Sequence, residues 1–211
     1  MDISFYLYII AAAIVTGILR YRRIHPPLLK WFVPFLGLTL AVEIIGLITS
    51  RMNLHNLWMF NFFTCLEFMF YSYIYSRLLA DGKWVRIIRY SMIAFPVLFL
   101  VNIFFVEGFY RFHTITYRIG SVMIDYWCYL YFRQLMRSPG YESIFRNPFF
   151  WISTGLLFFY TGFFFYMSAA FILLYAKVDR VVWEAISGSL NVILYGCFLI
   201  SFLCQATPKR K

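Results

Sequence analysis

Three carboxylates and one guanidinium fall several residues inside long apolar stretches of the sequence: Glu43, Glu67, Asp125 and Arg118. A charge in hydrocarbon costs about 2.5–3.5 kcal/mol on insertion scales, so such groups pair, take up a proton, hold an ion or line a wet cavity. Each carboxylate belongs to a polar stripe at helical spacing: Thr39, Glu43 and Ser50; Asn61, Thr64 and Glu67; Arg118, Ser121 and Asp125. Ser187, Asn191 and Tyr195 form a fourth, and Tyr160, Thr161 and Ser168 add hydroxyls from another stretch. A ligand or ion cavity built from Glu43, Asn61, Glu67, Arg118, Asp125, Asn191 and Tyr195, nearer the external face, is one expectation. Hydrogen-bonded glue between helices, worth about 0.6 kcal/mol per contact, is the other.

The elements that must hold these groups are apolar helices. The chain has 211 residues, is 63% hydrophobic and 13% charged, and has a mean hydropathy of +0.74. Lipid rather than water is the solvent of such a composition. Apolar runs cover about 3–19, 31–50, 57–76, 87–106, 113–133, 149–175 and 183–204. Each is too long for a buried strand, and Phe163-Phe164-Phe165 breaks the alternation that a membrane barrel needs. The expectation is an all-α polytopic membrane bundle of seven transmembrane helices, one domain over residues 1–211, with no length left for another.

Punctuation agrees with this division. His25-Pro26-Pro27, Asp81-Gly82, Ser138-Pro139-Gly140 and Arg146-Asn147-Pro148 lie between runs as turn or cap sequences. Asn147-Pro148 reads as an N-cap followed by a first-turn proline, where the missing amide costs nothing. Pro96 lies inside the fourth run, frees the carbonyl of Met92 and should kink its helix. Small residues such as Gly37 and Ala41 are expected to let helices approach closely.

Orientation follows from Lys and Arg. Arg20, Arg22, Arg23 and Lys30 lie in the first gap, Arg77, Lys83, Arg86 and Arg89 around the third, and Arg133, Arg137 and Arg146 around the fifth. Lys209, Arg210 and Lys211 follow the seventh run, while the opposite side receives only Arg51, Arg111, Arg118, Lys177 and Arg180. The positive-inside rule then puts the amino terminus outside and the carboxyl terminus in the cytoplasm. Asp2, with no basic residue before the first run, is the reverse of a signal peptide's charged start, so that run is expected to stay as a span.

Several chemistries lack their residues. Retinal needs a lysine in the last span, and residues 183–204 contain none. His25, His55 and His113 fall at span edges without paired spacing, so neither a metal nor haem is expected. Asp125 is the one aspartate within a span, which leaves no aspartyl dyad, and no histidine shares a depth with Ser153, Ser168 or Ser187. Cys65, Cys128, Cys197 and Cys204 lie in apolar runs as packing residues. No catalytic residue, cofactor or enzyme activity is therefore expected. The net charge of +10 belongs to the inter-span gaps, where anionic lipid accounts for it without nucleic acid.

The stretch Asn147-Pro148-Phe149-Phe150-Trp151-Ile152-Ser153-Thr154-Gly155-Leu156-Leu157, Glu43 near the end of the second span and the closing Phe202-Leu203-Cys204-Gln205 resemble a group of small seven-span proteins of Bacteroidota. The resemblance implies a multi-pass protein of the bacterial inner membrane and says nothing about chemistry.

Two functions stay open at this point. One is a non-enzymatic receptor-like or signalling-accessory protein that binds a small ligand in an outward cavity and works through a membrane or cytoplasmic protein partner. The other is a small-solute or proton-coupled transporter in which Glu67 and Asp125 relay a proton or cation. A 3+1+3 arrangement like that of SWEET sugar transporters would suit it, with Pro34 and Pro148 at matching places, although no shared run of residues marks a duplication. Membrane lipids are partners in either case.

Overall fold

A computed structural model describes residues 5–137, 144–175 and 180–204. Ser138-Pro139-Gly140, Asp2, Lys177 and the Lys209-Arg210-Lys211 tail lie outside the described residues. Among those described there is no strand. Seven α-helices occupy the seven apolar runs: α1 (Phe5–Leu19), α2 (Phe32–Arg51), α3 (Leu57–Leu78), α4 (Gly82–Phe105), α5 (Thr114–Arg137), α6 (Pro148–Tyr175) and α7 (Arg180–Leu203). Four segments are long and apolar enough to cross a membrane: Pro27–Arg51, Gly82–Phe105, Pro148–Ser168 and Glu184–Leu203. This is the makeup of a membrane protein. Helix α1 is apolar but shorter, while α3 and α5 are diluted by tyrosines, hydroxyls, amides and charges.

The expected caps are present. Asn147 Oδ1 accepts from the Phe149 amide at 2.9 Å at the start of α6, ahead of Pro148. Asp81 Oδ1 accepts from the Lys83 amide at 2.9 Å at the start of α4. Helix α4 is helical on both sides of Pro96.

The chain divides into two compact units, Met1–Leu40 with Leu135–Lys211 and Ala41–Gln134. In the first, Tyr6 stacks on Tyr195 with ring centroids 6.3 Å apart, and Arg20 Nη1 donates to the Leu203 carbonyl at 3.0 Å. Both pairs advance together along the chain, so α1 and α7 run parallel. Helix α6 runs antiparallel to α7, with Gly155 against Cys197 and Leu194 and Gly162 against Leu190. Phe32 joins this core edge-on to Phe149 and Phe198.

The second unit packs α3 antiparallel to α4, with Phe68 stacked on Phe95 and Phe62 edge-on to Phe99. Close helix approach rests on glycines other than the expected one. A Cβ at Gly37 would meet nothing within 4 Å, whereas Gly17, Gly46, Gly120, Gly155 and Gly162 each face a neighbouring side chain. Spacing in the sequence cannot say which face of a helix meets a partner.

Candidate functional site

Helix α5 is the most polar of the long helices, and most of its polar face is turned inward. Thr116, Tyr117, Ser121 and Cys128 are all buried, as are Asn61, Tyr71, Ser72 and Tyr75 of α3. Three contacts fix the register between them. Asn61 meets residues 111–113, Tyr75 Oη and Cys128 Sγ lie 3.1 Å apart, and Gln134 bonds both the Leu78 carbonyl and the Ala80 amide. The offset stays between 50 and 56 residues, so α3 and α5 run parallel along a buried polar seam. Lipid cannot satisfy such side chains, which is why the two helices turn them toward protein.

The expected carboxylates lie in this unit on three helices: Glu43 on α2, Glu67 on α3 and Asp125 on α5. All three are half-buried. The charge of Glu43 reaches Glu67, that of Glu67 reaches Tyr71 and Tyr117, and that of Asp125 reaches Tyr117 and Cys128. Five acidic or phenolic groups thus share one electrostatic neighbourhood with the Cys128 thiol, in surroundings where charges are poorly screened. Arg118, also half-buried, is seven residues ahead of Asp125 on α5. Among the described residues no three His, Cys, Asp or Glu side chains gather as a metal site would require.

Asn191 and Tyr195 belong to the first unit. Asn191 Nδ2 donates to the Ser187 carbonyl of its own helix at 3.0 Å. Tyr195 is buried against Tyr6 and Phe198. Asn61 has a different task. Its Nδ2 donates to the Arg111 carbonyl at 2.8 Å and its Oδ1 accepts from the His113 amide at 3.0 Å, so one side chain of α3 clamps the turn between α4 and α5.

That turn carries residues that the sequence reading passed over. Glu107 reaches forward to the start of α5, accepting from the Thr114 amide at 3.0 Å, the Ile115 amide at 3.3 Å and the Thr114 hydroxyl. Asn102 Nδ2 donates to Glu107 Oε2 at 2.6 Å and to Thr116 Oγ1 at 2.7 Å. His113 Nε2 pairs with the Gly108 carbonyl at 3.0 Å, and Gly108 has the left-handed φ of 78°. Partial burial pushes the Glu107 carboxyl up. The bonds from Thr114, Asn102 and the Ile115 and Thr114 amides outweigh it, and the group ends below the ordinary glutamate range. Asn102, an amide near the end of an apolar run, was the readable signal.

Comparison with protein-family models, with curated proteins and with solved structures finds no match to this chain.

Proposed function

We propose that this chain is a multi-pass membrane protein, seven-span with its amino terminus out, that moves a proton or small cation, alone or with a solute, through its second unit. The bacterial inner membrane is part of the proposal. What supports it is that Glu43, Glu67 and Asp125, on α2, α3 and α5, belong to the same compact unit as the buried polar seam, with the charge of Glu43 acting on Glu67. Two like charges in an apolar bundle repel unless a proton or cation lies with them. Tyr71 and Tyr117 beside Glu67, and Asp125 beyond Tyr117, extend the same polar path along parallel α3 and α5.

A receptor-like role is the second reading. Arg118 favours it, since a half-buried guanidinium on the same helix as Asp125 suits a zwitterionic or anionic ligand. Asn191 and Tyr195 carry less of either reading, because each is engaged within its own unit.

Reconstitution in liposomes separates the two. An entrapped pH dye or cation indicator should report flux under an imposed gradient, falling roughly tenfold or more in Glu67→Gln and Glu43→Gln. A ligand that binds without flux supports the receptor instead. Flux no faster than in empty liposomes, across proton, sodium and potassium gradients, overturns the transport reading.

A further inference from the structure

We propose that the turn between α4 and α5 is an acid-released latch, with Glu107 the proton-binding group and the first turn of α5 the part set free. In the closed state the Glu107 carboxylate caps α5 from outside the helix, holding the Thr114 and Ile115 amides that have no partner within it. The same carboxylate accepts from Asn102, which ties the last turn of α4 to Thr116. One charge therefore joins three pieces of chain. Protonation takes away the charge that attracts those donors and puts an O–H where an acceptor was.

A second observation gives the released state somewhere to go. Asn102 is buried, and its Oδ1 has no hydrogen-bond partner among the described residues; the same is true of His113 Nδ1. Rotating the Asn102 amide by half a turn would point Oδ1 at a protonated Glu107, which can then donate to it. Thr116 Oγ1 would switch from acceptor to donor toward that oxygen, as a hydroxyl can. The flip gives Oδ1 its donors and turns the amide NH2 into the place that Oδ1 held. The Ile115 amide loses its Glu107 acceptor, and the Thr114 amide keeps only the Phe112 carbonyl at 3.0 Å. The latch thus exchanges one hydrogen-bond pattern for another.

The surrounding charges are few. Helix α4 has no ionisable residue in its last turn, and Asn61 is the contribution of α3. The turn itself holds Arg111 and His113, His55 lies against Tyr110 from the α2–α3 connection, and Arg118 follows one turn into α5. Because the folded Glu107 sits below its unfolded value, the latch contributes fully above that unfolded value, near 4.3 for a free glutamate. It is lost as pH falls through the folded one. It holds through mild acid and lets go in strong acid, whichever direction the chain is inserted.

Hydrogen exchange of the full chain in detergent or nanodiscs, from about pH 7 to about pH 3 and corrected for intrinsic rates, tests this. In the wild type the Thr114 and Ile115 amides should lose roughly tenfold or more of their protection at low pH while α7 stays protected. Glu107→Gln should show the open pattern at neutral pH with no further step. Thr114→Val, which removes one bond to the carboxylate, should raise the release midpoint by about one pH unit. His113→Gln should leave the step in place. A pH step that survives Glu107→Gln, a Thr114→Val midpoint equal to wild type, or a loss of protection that spreads equally to α7 overturns the latch.

Discussion

The side-chain carbonyl of Asn61 accepts the backbone amide of His113 at 3.0 Å while its NH2 donates to Arg111 two residues earlier. A single amide on α3 thereby matches one donor and one acceptor of a neighbouring turn, as an added backbone group would. Asn61 is buried, so both partners lose water as well as a bond if it is truncated. Asn61→Ala should lower stability by about 2–6 kcal/mol, counting about 1–3 for each of the two backbone groups left unpaired. Asn61→Asp keeps the acceptor for His113 but loses the bond to Arg111 and should fall between. Thermal or denaturant unfolding in micelles reads this, and a wild-type midpoint for Asn61→Ala would show that the clamp contributes nothing.

Glycines separate into those that space helices and those that do not. A methyl at Gly155 would stand 2.8 Å from Cys197 Cβ and 3.2 Å from the Leu194 carbonyl, one of them backbone that cannot turn aside. Gly155→Ala should therefore push α6 from α7 and cost about 1–3 kcal/mol. Gly37→Ala meets open space and should be neutral or slightly stabilising, since alanine is the better helix former. Equal unfolding midpoints for the two variants would contradict the packing described for α6 and α7.

The helices were legible in the sequence because lipid-length apolar runs admit little else. Caps at Asp81 and Asn147 were legible because a short polar side chain ahead of a run has one obvious use. What pairs with what was not. Asn61 and Glu67 share a stripe, yet one holds a turn and the other faces carboxylate charge, a difference set by which neighbour lies opposite. Asn191 and Glu67 are grouped in the sequence by depth and stripe, and membership of separate compact units, the first for Asn191 and the second for Glu67, is not a property that spacing encodes. Glu107 lies in a turn between runs, and its partners stand five residues before it and seven and eight after it, outside the spacing of a single helix.

Arg20 stands at the carboxyl end of α7, where the last carbonyls have no amide of their own helix to accept from. Its guanidinium donates to the Leu203 carbonyl at 3.0 Å and to that of Phe202 at 3.5 Å, while carrying a positive charge to the negative end of the helix dipole. Arg20→Ala should cost about 0.5–1 kcal/mol and loosen the last turn of α7 in hydrogen exchange. Arg20→Lys should recover part of this. Unchanged protection of residues 200–203 would mean that the carbonyls are satisfied otherwise.

Insertion direction is set by charge, and two turns of the second unit oppose each other in it. The α3–α4 turn has Arg77, Lys83, Arg86 and Arg89 within or beside it; the α4–α5 turn has Arg111 and, one turn into α5, Arg118. Moving basic side chains across the bilayer during insertion is disfavoured, so the first turn should stay in the cytoplasm and the second should cross. A reporter active only outside the cytoplasm, inserted at Gly108, should be active, and the same reporter at Gly82 silent. Replacing Lys83, Arg86 and Arg89 with glutamine while adding three lysines after Gly108 should reverse or mix the signals. Activity at Gly82 and silence at Gly108 in the unaltered chain would invert the proposed topology and place the Glu107 turn on the cytoplasmic side.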